Sequence, residues 1–149
     1  MRLRFAGIDD CGVLAELHFE CFQDCWDAES IADLLRLPGH FAVAGQSADS
    51  PELIGFGLAR VAADEAEVLT ICVVPHSRCK GVGRQILLAL HDQAAALGAD
   101  AIYLEVSVVN SAAIVLYKGL GYREAGLRPA YYRSASGVHD ALILRRQLG

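Results

Sequence analysis

The densest group of residues with recognisable chemistry is the turn Arg78-Cys79-Lys80-Gly81-Val82-Gly83-Arg84. It follows an apolar, β-branched run that ends at Pro75, and it leads into a long apolar helical pattern. Glycines let a backbone approach a ligand closely. A helix N-terminus adds unpaired N–H groups and a partial positive charge. The pattern predicts a phosphate-binding turn, with a solvated basic patch as the alternative.

A second group combines a carboxylate and a phenol. Glu105 ends an otherwise apolar strand pattern, and Tyr117 lies in a short helix for which Asn110 is the predicted N-cap. A carboxylate can accept a proton, and a phenol stays protonated at neutral pH because its ordinary pKa is near ~10. These residues are candidates for general base and general acid. Taken singly, each also fits a solvated strand end or a core ring.

The cysteines indicate neither a disulfide framework nor a metal centre. There are five of them, Cys11, Cys21, Cys25, Cys72 and Cys79, and no two have CxxC spacing. Cys21 and Cys25 could share a helix face near His18, which leaves zinc as a remote alternative to ordinary buried thiols. We therefore expect no metal site.

Composition limits the class of protein. The chain has 149 residues, of which 54% are hydrophobic, a net charge of −5 and a pI near 5.4. These values favour one domain over residues 1–149 with a large core. The acidic balance argues against direct nucleic-acid binding and suits a basic partner. We find neither a signal peptide nor a membrane span and expect a cytoplasmic protein, while the oligomeric state stays open.

Hydrophobic periodicity predicts the elements that must position these residues. The predicted strands are 3–6, 40–46, 53–62, 68–74, 101–106, one near Tyr122 and 141–148, with Tyr131 and Tyr132 in a loop before the last. Helices are predicted after the caps Asp9 or Asp10, Asp27 and Asn110, and over 81–97. The order βααβββαβαββ indicates a mixed α/β domain. G-x-G-x-x-G and Walker motifs are absent, which argues against those nucleotide-binding folds.

The basic turn at residues 78–84 lies between the predicted strand 68–74 and the predicted helix 81–97. In that position it resembles the R/Q-x-x-G-x-G/A motif of the GCN5-related N-acetyltransferase (GNAT) family. The resemblance covers nearly the whole chain. It implies a central sheet with splayed parallel strands and acetyl-CoA as cosubstrate. By the same likeness, Cys79, Lys80, Gly81, Val82, Gly83 and Arg84 hold the pyrophosphate. Backbone groups of Ile71, Cys72 and Val73 meet the pantetheine arm and the thioester.

The run from Leu104 to Tyr122 is similar to the L-E-V-R-x-S-N-x-x-A-x-x-L-Y-x-x-x-G-F signature of the bacterial ribosomal-protein alanine N-acetyltransferases. That subfamily's pattern implies Glu105 as base, Tyr117 as acid and Asn110 as a CoA contact. Tyr131-Tyr132 and His139-Asp140-Ala141 also resemble it. Ser107 and Val109 depart from the pattern, where the subfamily has Arg and Ser, and so does Trp26-Asp27, where it has Trp-Ser.

The resemblance implies N-α-acetylation of the N-terminal alanine of a small-subunit ribosomal protein. An α-amino group, with a pKa of about 7.7–8.0, is easier to deprotonate than a lysine near about 10.4. Asp64, Glu65 and Glu67 could meet the basic peptide, or they form a solvated turn. Trp26 is equally a core anchor or a groove wall. Alternatives are another protein N-terminus, a small-molecule amine, or a non-catalytic CoA-binding module.

Overall fold

The computed structural model describes residues 1–22, 24–134 and 137–149, without the side chains of residues 132–134. The described residues follow the predicted order βααβββαβαββ. The strands are β1 Arg2–Ala6, β2 His40–Gln46, β3 Leu53–Ala62, β4 Glu65–Val73, β5 Ala101–Ser107, β6 Arg123–Ser134 and β7 Gly137–Gln147. The helices are α1 Cys11–Cys21, α2 Ala28–Arg36, α3 Val82–Ala96 and α4 Ser111–Gly119.

The strands form one sheet in the order β1-β2-β3-β4-β5-β7-β6. Neighbours are antiparallel except β4 and β5, which run parallel. Helix α3 covers one face, with Ile86, Leu87 and Leu90 fully buried. Helices α1 and α2 cover the other face through Leu14 and Ile31. The mixed sheet with helices on both faces confirms the predicted fold class.

The parallel strands β4 and β5 separate partway along their length. They pair at Glu65↔Ala101, Ala66↔Ile102 and Glu67↔Tyr103. Beyond these positions β4 continues to Val73 and β5 to Ser107 without pairing recorded between the described residues. The predicted splay of the parallel strands is therefore present.

A bulge in β4 changes which of its side chains face α3 and which face α1 and α2. Opposite β3, Thr70 pairs with Leu58 and Val68 pairs with Ala59, so Leu69 is the extra residue. An extra residue shifts the period-2 alternation of a strand by one. Before the bulge, Ala66 and Val68 pack with α3; after it, Cys72 packs with α1 and α2.

Two of the predicted helix caps are confirmed. The Asp27 carboxylate accepts the Ser30 N–H at 2.8 Å, and the Asn110 side-chain oxygen accepts the Ala113 N–H at 3.2 Å. Asp10 directly precedes α1 but does not cap it with its side chain. Its carboxylate instead accepts the Gly7 N–H at 2.8 Å and pairs with Arg4 at 2.9 Å. That competing pair also holds the pKa of Asp10 below its usual value.

The largest departure from the predicted elements is at the last hairpin. The predicted loop holding Tyr131 and Tyr132 is wrong, because both residues belong to β6, and β7 begins at Gly137 rather than Ala141. The register shift between Arg128 and Tyr132 absorbs Pro129 and its neighbours as a bulge. Strand β4 likewise begins at Glu65, three residues before the predicted start, because its charged residues alternate with apolar ones.

Candidate active site

The basic turn leads directly into α3. Gly81 is the N-cap of α3 in the left-handed region (φ 79°), and Cys79 also has a positive φ (62°). The backbone bond from Gln85 N–H to Gly81 O is 3.1 Å long. The N–H groups of Val82, Gly83 and Arg84 precede that bond and have no acceptor within the helix. This is the N–H array predicted for a phosphate.

The space around the two glycines shows which side of the turn is open. A Cβ on Gly81 would meet nothing within 4 Å, whereas a Cβ on Gly83 would lie 3.7 Å from Val73 and 3.8 Å from Leu116. Gly81, Lys80 and Arg84 are exposed, while the Val82 side chain is buried in the core. Gly81 therefore faces solvent, and Gly83 lies where the turn, the end of β4 and α4 meet.

The end of β4 has one edge without a strand partner among the described residues. Ile71, Cys72 and Val73 pair with Gly57, Phe56 and Gly55 of β3, but their other edge lies past the last pairing with β5. Ile71 and Val73 pack towards α3 and Cys72 towards α1. Arg78 reaches back to this strand, donating from Nε to Val73 O at 2.9 Å. An extended ligand arm fits such an edge.

Glu105 lines a cavity beside the segment where β4 and β5 are still paired. The cavity has a volume of about 190 Å³, and its lining includes Glu65, Glu67, Tyr103 and Glu105. The Glu67 carboxylate pairs with Arg60 at 3.4 Å. The structure thus brings together Glu105 and two of the three acidic residues that were singled out in the sequence. Asp64 does not line this cavity, and its backbone carbonyl accepts the Asp100 N–H at 2.7 Å.

Glu105 forms an ion pair that the sequence did not indicate. Its Oε1 lies 3.0 Å from Nη2 of Arg128, and the Glu105 side chain is only 19% exposed. The Arg128 guanidinium also lies over the Tyr131 ring, 4.4 Å from its centroid. A cationic amine approaching Glu105 must therefore compete with a guanidinium already in contact with the carboxylate.

Asp140 braces the bulge that carries Arg128 and Tyr131. Its Oδ1 accepts the Ala130 N–H at 2.8 Å, and Ala130 has a positive φ of 52°. Because a left-handed conformation is unfavourable for alanine, this hydrogen bond stabilises the bulge. The similarity of Tyr131, Tyr132 and Asp140 to the subfamily pattern was the only feature of the sequence that pointed to a structured bulge here. The side chain of Tyr132 lies outside the described residues.

Tyr117 belongs to the core between α3, α4 and the sheet. Its ring meets Tyr122 edge-on, with centroids 5.8 Å apart, and the Tyr122 hydroxyl is 2.7 Å from Nε2 of buried His91. Leu104 and Val106 pack in this same core. Since side chains alternate along a strand, Glu105 projects to the other face. The structure therefore places the two candidate proton-transfer groups on opposite faces of the sheet.

Asn110 and Trp26 have defined structural contacts. The Asn110 oxygen is engaged in capping α4, so a CoA contact would have to use its amide N–H₂. Trp26 is half-buried and stacks on His18 at 4.8 Å. Its backbone N–H donates to His18 Nδ1 at 3.0 Å, so Nε2 carries the proton and donates to Thr70 Oγ1 at 3.3 Å. Burial lowers the pKa of His18, which favours this neutral tautomer.

Two negative findings apply to the described residues. No helix in residues 1–22, 24–134 or 137–149 is long and apolar enough to cross a membrane. Within the same ranges, no group of three or more His, Cys, Asp or Glu side chains is arranged to hold a metal ion.

Comparison with known proteins finds related acetyltransferases. The [Ribosomal protein bS18]-alanine N-acetyltransferase of Salmonella typhimurium is 39% identical over 92 residues, which is 62% of each chain. The N-alpha-acetyltransferase RimI of Mycobacterium tuberculosis is 36% identical over 91% of this chain and 85% of its own. The crystal structure of the Escherichia coli ribosomal-protein-S18-alanine N-acetyltransferase superposes with a TM-score of 0.89 at 26% identity, covering 99% of this chain and 94% of that one.

The matched lengths differ among relatives. The chain spans 38% of a longer Mycobacterium leprae protein to which it is 39% identical over 146 residues. The model of the acetyltransferase (GNAT) family matches residues 12–122, which include both the basic turn and the Glu105–Tyr117 run. On this match, and on the splayed sheet and turn described above, the chain belongs to the acetyltransferase (GNAT) family.

Proposed function

We propose that this protein is an acetyl-CoA-dependent N-α-acetyltransferase whose acceptor is the N-terminal alanine of a small-subunit ribosomal protein. The observation that carries the proposal is the edge of β4 that has no strand partner among the described residues and leads to an open helix N-terminus at Gly81, with the Glu105 cavity beside the paired part of β4 and β5. The names of the Salmonella and Escherichia coli relatives support the choice of acceptor.

On the donor side, backbone groups do most of the binding. The N–H groups from Cys79 to Arg84 hold the pyrophosphate at the N-terminus of α3, and the exposed side chains of Lys80 and Arg84 add positive charge. The open edge at Ile71, Cys72 and Val73 pairs with the pantetheine arm, and a backbone N–H there stabilises the oxyanion. Asn110 contributes its amide. Bound acetyl-CoA supplies an activated acetyl group as a thioester.

On the acceptor side, Glu105 removes a proton from the incoming amine, directly or through a water molecule. An α-amino group, with a pKa of about 7.7–8.0, needs only a modest base. The amine takes the place of the Arg128 guanidinium beside Glu105. Glu65 and Glu67 in the same cavity attract a basic peptide.

The leaving thiolate must gain a proton as the acetyl group is transferred. Tyr117 donates it from the α4 side, opposite the face from which Glu105 acts. Acid and base on two faces of the sheet allow the donor and the acceptor to approach the gap between β4 and β5 from different sides. The packing of Tyr117 against Tyr122 fixes the position of the phenol ring.

Kinetics with labelled acetyl-CoA test the proposal. The acceptors are basic peptides that begin with alanine, and the same peptides with a blocked N-terminus serve as controls because they retain their lysines. Glu105→Gln and Tyr117→Phe should each lower kcat/KM by about 10²–10⁴-fold. Glu29→Gln, which removes an exposed carboxylate on α2, should leave it unchanged. Wild-type activity in both active-site variants would contradict the mechanism.

A second candidate keeps the chemistry but changes the acceptor. Ser107 stands where the subfamily has an arginine, and it cannot supply that residue's charge or reach. This departure favours another protein N-terminus or a small-molecule amine. Turnover confined to small amines such as polyamines would establish that alternative. Tight acetyl-CoA binding without turnover on any amine would instead indicate a non-catalytic CoA-binding module.

A further inference from the structure

Two thiols from different elements meet beside the thioester strand. Cys21 is the last residue of α1, and Cys72 lies near the end of β4. Their side chains pack in the same buried cluster, and the Cys21 thiol donates to Val73 O, next to Cys72, at 3.5 Å. The fold thus brings together two cysteines that are 51 positions apart in the sequence (72 − 21).

The two thiols have different surroundings. Cys72 is buried, with 4% of its surface exposed, whereas Cys21 is half-buried. The exposed Arg78 donates to the same Val73 oxygen at 2.9 Å, which places its guanidinium beside the Cys21 sulfur. The hydrogen bond from Cys72, followed by the contact with Arg78, lowers the pKa of Cys21 to about 6. The bond to Cys21, followed by burial, raises the pKa of Cys72. One thiol is therefore reachable and nucleophilic, and the other retains its proton.

We propose that Cys21 and Cys72 form a peroxide-reactive dithiol that closes to an intramolecular disulfide. The Cys21 thiolate attacks hydrogen peroxide, an S–O bond forms as the O–O bond breaks, and the hydroxide released takes a proton to become water. The Cys72 sulfur then attacks the sulfenic acid of Cys21. The S–S bond forms, the S–O bond breaks, and the departing oxygen leaves as water with the Cys72 proton. In sum, two thiols are oxidised and one peroxide is reduced to two waters.

The first step also prepares the second. The leading cause of the raised pKa of Cys72 is its hydrogen bond to the Cys21 thiolate. Oxidation of Cys21 to a neutral sulfenic acid removes that acceptor, which lets Cys72 lose its proton more easily. Cys21 is the last residue of α1 and Phe22 is already extended, so a bond at Cys21 interrupts no helical turn.

The disulfide changes the strand that the proposed function assigns to the thioester. It removes the S–H group that donates to Val73 O when Cys21 is protonated, and the negative charge beside Arg78 when Cys21 is ionised. It also ties the end of α1 covalently to β4. We expect acetyl transfer to fall at least tenfold on oxidation and to return with a dithiol reductant. This consequence rests on the proposed function, but formation of the disulfide does not.

The test treats the reduced full-length protein with hydrogen peroxide, blocks remaining thiols with iodoacetamide, and maps peptides by mass spectrometry without reduction. Blocked thiols should fall from five to three, with a peptide pair linking Cys21 to Cys72. Cys25→Ser, a control at an exposed thiol, should form the same linked pair, with blocked thiols falling from four to two. Cys21→Ser should form no linked pair, and Cys72→Ser should accumulate a sulfenic acid at Cys21 that dimedone traps.

Two outcomes would overturn the proposal. One is oxidation of Cys21 no faster than that of Cys25, since a stabilised thiolate should react roughly tenfold faster. The other is a wild-type protein in which Cys21 is oxidised without linking to Cys72. If Cys72→Ser fails to fold, the wild-type and Cys21→Ser peptide maps still decide the question. A linked pair in a protein without acetyltransferase activity would confirm the dithiol and count only against the proposed function.

Discussion

The two glycines of the basic turn provide a matched pair of substitutions. Gly81 has a φ of 79°, and an added Cβ would enter open space. Gly83 lacks a positive φ and an added Cβ would make ordinary contacts with Val73 and Leu116. The same change to alanine therefore places a methyl group in open space at the proposed phosphate-binding turn in one case and against the protein in the other.

The structure predicts opposite effects on stability. Gly81→Ala forces alanine into the left-handed region, at a cost of about 1–2 kcal/mol. Gly83→Ala removes a flexible residue from the first turn of α3 and should gain up to about 0.5–1 kcal/mol. Since 1 kcal/mol shifts the Tm of a domain of this size by about 2–4 °C, Gly81→Ala should lower Tm by about 2–8 °C and Gly83→Ala should raise it by about 1–4 °C.

Ligand binding separates backbone strain from loss of the phosphate cradle. Calorimetric titration with acetyl-CoA should show at least a tenfold weaker Kd for Gly81→Ala, a loss of about 1.4 kcal/mol, because its methyl group excludes phosphate oxygens from the N–H groups. Gly83→Ala should stay within about threefold of wild type, a difference of less than about 1 kcal/mol. A folded Gly81→Ala variant that binds acetyl-CoA with wild-type affinity would refute the assignment of this turn.

Three further predictions concern groups that support the site. His91 is 3% exposed, and burial, with a smaller effect of Arg146, lowers its pKa from 6.5 to about 4. Below pH 6.5 the unfolded chain binds a proton at His91 that the folded protein does not, so stability is lost as the pH falls. In urea melts, the free energy of unfolding should fall by about 2 kcal/mol between pH 7.5 and pH 5.0. The free energy of unfolding of His91→Gln should change less over the same pH range. An equal pH dependence in both proteins would contradict this role. Thr70→Val leaves the buried Nε2–H of His18 without its acceptor and should lower the free energy of unfolding by about 1–3 kcal/mol in the same melts. An unchanged free energy of unfolding would show that this hydrogen bond is dispensable. Asp27→Ala removes the cap of α2 and should cost about 1 kcal/mol, against no change for Asp24→Ala in the preceding loop.

The sequence was sufficient for the elements that depend on local patterns. Periodicity defined α3 and the first four strands to within a few residues, and Asp27 and Asn110 were recognisable as caps because capping involves residues three apart. The basic turn and the Glu105–Tyr117 run identified the family. The local pattern was also enough to place the basic turn at the start of a helix, while phosphate binding by this turn stays a prediction.

Apart from the splay of the parallel strands, which the family resemblance implied, features that depend on pairing between distant elements were not predicted. Arg128 reaches Glu105 only because β7 lies between β5 and β6 in the sheet, an order that no local pattern encodes. The bulge after Arg128 allows Tyr131, which was predicted in a loop, to continue strand β6. The contact between Cys21 and Cys72 likewise requires the reversal of faces at Leu69.

The most direct measurement of the central claim is mass spectrometry of ribosomal-protein N-termini from cells with and without this protein. Loss of one acetyl group from the N-terminal alanine of a small-subunit protein is expected when the protein is absent. Wild type should restore the acetyl group, and Glu105→Gln expressed at the same level should not. An N-terminus that stays acetylated without the protein, or that Glu105→Gln restores fully, would contradict the account.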